Sequence, residues 1–92
     1  MAYSSVHERY TRRFAHSGNL FERSRATFVG GVTHNNRPLV PFPLFFQHAE
    51  GPFKYDVDGN EFVDYVMGSG SLIMGHSPSE VMTAMKAQID RG

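Results

Sequence analysis

Residues 51–66 read GPFKYDVDGNEFVDYV, and the fold turns on this stretch. Phe53, Tyr55 and Val57 alternate with Lys54, Asp56 and Asp58, the period-two pattern of a strand with one covered face. Asp58-Gly59 predicts a two-residue hairpin turn, because both positions tolerate positive φ. Phe62 to Val66 then returns. Upstream, Leu44 to Ala49 supplies another strand, ended by Glu50-Gly51-Pro52. The expectation is a three-stranded antiparallel meander rich in aromatic and β-branched residues.

Toward the N-terminus, residues 4 to about 26 read as helix. Ser4 or Ser5 can cap it, and Glu8 lies at the capping-box spacing from Ser5. Val6, Tyr10 and Phe14 form one apolar stripe. Ser17-Gly18-Asn19 predicts a break, with a second short helix from Leu20 to Arg25. Residues 28–43 read as an extended loop, because Gly30-Gly31 frees the backbone and Pro38, Pro41 and Pro43 forbid a helix interior. Toward the C-terminus, Gly68-Ser69-Gly70-Ser71 follows the last strand. Ser77-Pro78-Ser79-Glu80 then predicts a helix start, with Ser77 as cap, Pro78 in the first turn and Glu80 completing a box. Val81, Met82, Met85 and Ile89 mark its expected buried stripe. The helix runs to about Asp90, and Gly92 suits a position just past its end. The fold class is α+β. Residues 1–27 form a helical arm, 28–43 a loop, and 44–92 the meander plus a helix.

Composition narrows the function. The chain has 92 residues, nine basic and nine acidic, and no cysteine. Zero net charge offers no clustered cationic surface for nucleic acid or an anionic membrane. Arg9, Arg12, Arg13, Arg23 and Arg25 are interrupted by Glu8 and Glu22 and read as a solvated helical face. Disulfides and cysteine-based zinc sites are excluded. No apolar run approaches the roughly 20 residues of a membrane span, and the N-terminus lacks the apolar centre of a secretory signal. A soluble, cytoplasmic protein is expected. Eight Phe and four Tyr in so short a chain need cover from a partner or from further sequence.

Few residues suggest chemistry by themselves. Arg37, on a Gly/Pro-rich loop, could fork two N–H donors onto a carboxylate; the alternative is a surface arginine. Residues 68–71 could offer backbone N–H groups to an anion or flat ring, or form a plain loop. They match neither a dinucleotide fingerprint nor a P-loop. His7, His16, His34, His48 and His76 lack paired metal-ligand spacing and read as structural, so no metal site is expected. Asp58 is assigned to its turn, and Asp56, Glu61 and Asp64 to the polar face of the hairpin. Met67, Met74, Met82 and Met85 read as core filler. Lys54 and Lys86 lack the buried, loop-borne setting of a Schiff-base lysine.

Read as one string, GPFKYDVDGNEFVDYVMGSGSLIMGHSPSEVMTAMKAQIDRG resembles the N-terminal region of class III aminotransferases. It is most similar to the glutamate-1-semialdehyde aminomutase branch and its β-amino-acid aminotransferase relatives. The shared pattern is the aromatic strand, the Tyr-Asp-Val-Asp-Gly-Asn turn, Asp64-Tyr65, and Gly75-His76 before a helix. Upstream, Phe28-Val29-Gly30-Gly31-Val32 followed by Arg37 resembles that branch's loop. The resemblance covers roughly residues 20–92.

It implies part of the small domain of a fold type I enzyme that uses pyridoxal 5′-phosphate. The catalytic lysine, the phosphate loop and the aspartate facing the pyridine nitrogen would lie beyond residue 92. No catalytic residue is therefore expected here, and the 92-residue chain should be inactive alone. By the same resemblance, Arg37 falls where the branch holds the substrate carboxylate. Ser69 falls where the aminomutases carry a tryptophan near cofactor and substrate. A serine leaves room for an aromatic or bulkier β-amino acid. Gly68 and Gly70 would let the chain pass close to the ligand, and His34 and Asn35 depart from the branch. The implied partners are an amino-acid substrate, the remainder of the enzyme and, when whole, a second copy in a homodimer. Two alternatives stay open: a non-catalytic module that pairs with a full-length enzyme, and a fragment of a racemase of the same fold.

Overall fold

A computed structural model describes residues 5–34 and 37–92; Ser4 and Asn35 lie outside the described residues. The element order is α1 (Val6–Arg13), α2 (Ala15–Arg25), β1 (Phe46–Glu50), β2 (Phe53–Asp56), β3 (Glu61–Val63) and α3 (Ser79–Ile89). Short 3-10 turns lie at Val29–Gly31, within the predicted loop, and at Met67–Gly70. The chain divides into two compact units. One comprises Met1–Phe45 with Asp56–Asn60, the other Phe46–Tyr55 with Glu61–Gly92.

In the first unit, α1 begins as its sequence predicts. Ser5 Oγ accepts from Glu8 N at 3.1 Å and Glu8 Oε2 accepts from Ser5 N at 2.7 Å, which satisfies two otherwise orphan amides. The expected break at Ser17-Gly18-Asn19 does not occur. The helices part at Phe14 (φ −117°, ψ 41°), and α2 runs through Gly18. The glycine serves packing instead: a Cβ there would lie 3.1 Å from the Phe42 ring. Phe14 and Phe42 are buried, and both rings meet Tyr10 in tilted contacts, at 4.7 and 5.2 Å between centroids. Tyr10 Oη donates to Phe42 O at 2.8 Å. Burial, followed by the charge on Asp56, raises the Tyr10 phenol pKa.

The sheet order is β1-β2-β3. β2 and β3 pair antiparallel, Phe53 with Val63, Lys54 with Phe62 and Tyr55 with Glu61. Only Gly51-Pro52 separates β1 from β2, a connection that only antiparallel strands can use. The turn between β2 and β3 differs from the two-residue expectation. Gly59 N donates to Asp56 O, and Asp56 N to Asn60 O. Gly59 takes φ 84° while Asp58 stays at negative φ. That is a three-residue loop closed by a left-handed glycine. His48 stacks on Tyr55 at 4.5 Å, and Phe46 meets Phe62 edge-on at 5.6 Å.

α3 also starts later than predicted. Pro78 is the N-cap and makes no side-chain cap, while Ser77 sits at φ 52°. Its expected buried stripe is open, since Val81, Met85 and Ile89 are exposed, as is Met74. The methionines are therefore not all core filler. Among the described residues, no helix is long and apolar enough to cross a membrane.

Candidate functional site

Two of the buried polar groups are aspartates assigned by sequence to a solvated hairpin face, and the structure corrects that assignment. Asp56 is 0% exposed and Asp64 8%. Buried carboxylates persist where hydrogen bonds replace their lost water. Asp56 Oδ1 accepts from Asp58 N (3.0 Å) and Asn60 N (2.7 Å), while Asn60 Nδ2 reaches both its oxygens. This ties the turn to itself.

Asp58 is more than a turn residue. Its Oδ1 accepts from His16 N at 2.7 Å and its Oδ2 from Ser17 N at 3.0 Å. α2 has no capping side chain of its own, so a residue 41 positions away caps it. A carboxylate there also meets the positive end of the helix dipole. Burial pushes Asp58 upward, but the His16 and Ser17 amides outweigh it and hold the carboxyl below its ordinary range. Ser17, itself buried, accepts from Phe45 N at 3.1 Å.

In the second unit the organising group is Asp64. Its Oδ2 lies 2.8 Å from His76 Nε2. Its Oδ1 accepts from Val66 N (3.0 Å), Met67 N (3.2 Å) and Lys54 Nζ (3.4 Å). The His76 hydrogen bond chiefly, then the Met67 and Val66 amides and the Lys54 charge, outweigh burial and hold its pKa at about 2. His76 is anchored in turn: its N–H donates to Gly51 O at 2.8 Å and its carbonyl accepts from Gly51 N at 3.0 Å. Gly75 permits this. It takes φ 86°, and a Cβ would lie 3.2 Å from the Gly51 backbone.

The turn that follows Asp64 is conformationally unusual. Met67 (φ 46°), Gly68 (59°), Ser69 (57°) and Gly70 (93°) all lie on the left-handed side. For Met67 and Ser69 this costs about 1–2 kcal/mol each. Such conformations persist where their surroundings over-determine them. Ser69 is thereby exposed on a turn held at its start by Asp64.

Of the residues singled out by sequence, Ser69 belongs to the second unit and Arg37 to the first. Arg37 is exposed, and its Nη1 donates to Thr33 Oγ1 at 2.6 Å. Among the described residues no cluster of His, Asp and Glu could hold a metal ion. Neither lysine fits covalent attachment of pyridoxal phosphate. Lys54 Nζ is engaged by Asp64 and lies 4.5 Å from the centre of the Phe46 ring. Lys86 lies exposed in the last turn of α3. Sequence reasoning missed the Asp64 cluster; the available signal was a Gly-His pair following an Asp by twelve residues, which has no local periodicity.

No family model matches the chain. It is 45% identical over 76 residues to the glutamate-1-semialdehyde 2,1-aminomutase of Methanococcus maripaludis, covering 83% of this chain and 18% of that protein. It superposes on a β-phenylalanine aminotransferase from Variovorax paradoxus with a TM-score of 0.88 and 26% identity, over 94% of this chain and 20% of the other. A transaminase solved with pyridoxal phosphate bound matches 86% of this chain and 19% of its own, at 29% identity and a TM-score of 0.82. The chain thus spans about a fifth of the length of the proteins it matches. Over most of its residues it is a match to the N-terminal region of class III aminotransferases.

Proposed function

We propose that this chain is the N-terminal portion of a cytoplasmic, homodimeric aminotransferase or aminomutase that acts on an amino acid or β-amino acid. In this reading it contributes to the substrate carboxylate site and is not catalytic alone. The observation that carries it is the match of 76 residues, at 45% identity, to 18% of an aminomutase. Pyridoxal phosphate, in the complete enzyme, supplies the electron sink. This chain supplies position. Arg37 binds the substrate carboxylate through its planar fork, which fixes direction as well as charge. Ser69, small and exposed, leaves room beside the reacting carbon for an aromatic or bulky β-substituent.

The test is made in the complete enzyme. Arg37→Ala is expected to raise KM for amino acids about tenfold to a hundredfold, as for a lost charge-assisted pair. KM for amines that lack a carboxylate should stay within about twofold. Equal loss on both substrates would remove Arg37 from the carboxylate site. Ser69→Trp should depress kcat/KM for an aromatic β-amino acid more than for a small one.

A further inference from the structure

The sequence marks Ser69 and gives Asp64 only a place on the polar face of the hairpin, yet the two are linked by a short chain of contacts. Four consecutive left-handed residues begin at Met67. Within the turn, the hydrogen bonds are local: Ser69 N to Val66 O at 2.9 Å, Leu72 N to Met67 O at 3.1 Å, and Ser71 Oγ to Gly68 O at 2.9 Å. Local bonds of this kind form in many turn conformations and do not select the left-handed one. The selecting contact is at the entrance. Asp64 Oδ1 takes the amides of Val66 and Met67 together, which sets the peptide planes leading into Met67.

Asp64 is in turn immobilised from outside the turn. His76 holds Oδ2 from a backbone bridged to Gly51, and Lys54 reaches Oδ1 from β2. The Asp64 N–H donates to Pro52 O at 2.8 Å, fixing the backbone as well. A carboxylate with both oxygens and its own amide engaged has one orientation. It passes that orientation to the residues it holds.

We infer that Asp64 is a positioning residue for Ser69: clamped by His76 and Lys54, it holds the Met67–Gly70 turn in the left-handed form that presents Ser69 to substrate. This rests on the reading that places Ser69 at the substrate site. Two consequences separate it from a general role in stability. Asparagine at 64 keeps an acceptor for the two amides, so Asp64→Asn should be milder than Asp64→Ala. Glycine at 67 adopts φ 46° freely, so Met67→Gly should lower the need for the clamp.

The experiment uses the complete enzyme, amide hydrogen exchange, and calorimetric binding of 3-phenylpropanoate as a carboxylate probe. Asp64→Ala is expected to speed exchange at Val66 and Met67 about tenfold and to weaken probe binding about tenfold. Asp64→Asn falls between, and adding Met67→Gly to Asp64→Ala restores probe binding to within about threefold. Unchanged exchange at Val66 and Met67 overturns the inference. So does acceleration spread evenly over all amides with no rescue by Met67→Gly. If the unsubstituted enzyme binds the probe and Asp64→Ala binds it as tightly, the positioning role fails while the substrate reading stands. If the unsubstituted enzyme does not bind the probe, the substrate reading falls and takes this inference with it through its premise.

Discussion

The two units place buried aspartates eight residues apart to different ends. Asp56 in the first unit is enclosed by neutral donors, two backbone amides and the Asn60 side chain. Asp64 in the second is enclosed by His76, Lys54 and two amides. The first carboxylate closes a hairpin whose next residue but one caps a helix. The second fixes a strained turn that presents a side chain. Together they organise a chain that has two buried apolar residues among those described, Phe14 and Phe42. Buried hydrogen-bonded carboxylates do part of what a larger core does elsewhere, and the one held by His76 and Lys54 adjoins the turn that carries Ser69.

Breaking the first carboxylate should cost most. Asp56→Ala strands two amides in a fully buried position, at about 3 kcal/mol. Urea unfolding followed by circular dichroism measures it, and a loss below about 1 kcal/mol would mean that water replaces the carboxylate. Gly75→Ala comes next, at about 2 kcal/mol, since it adds a left-handed penalty to a contact with rigid Gly51 backbone. Its effect should appear first in the amides of Gly51 and His76.

Acid should act most clearly on the second unit. The Asp64 carboxyl is depressed from 3.8 to about 2 in the folded chain. Its contribution, about 2 kcal/mol, is therefore fully present above pH ~4 and lost as pH falls through about 2. Asp64→Asn should flatten that part of the stability profile; Asp58 will retain its own share, being lowered as well. The smallest effect is expected at Glu22. Its 3.3 Å pair with Arg25 is exposed on both sides, so Glu22→Ala should change stability by less than about 0.5 kcal/mol.

Local rules made part of this legible. The Ser5–Glu8 box and the three-stranded sheet follow from short-range chemistry, whereas the alternation at Phe53 to Val57 put the wrong face inside: Phe53 is exposed and Asp56 is buried. Failures occurred where distant residues decide. Gly18 reads as a break because its partner, Phe42, is 24 residues away. Ser77 reads as a cap because the Gly51–His76 bridge, which fixes the chain just before it, has no local sign. Asp56 and Asp64 read as surface residues because strand alternation does not reveal what fills the space beside a turn. The Asp, Gly and His positions of residues 51–92 are those that tie each unit together.

The most direct measurement takes the 92-residue chain with pyridoxal phosphate, an amino donor and borohydride, read by peptide mass spectrometry and by product formation. No turnover is expected, and labelling of Lys54 and Lys86 should be no greater than in the urea-unfolded chain. Site-selective labelling of either lysine together with transaminase turnover would contradict that expectation.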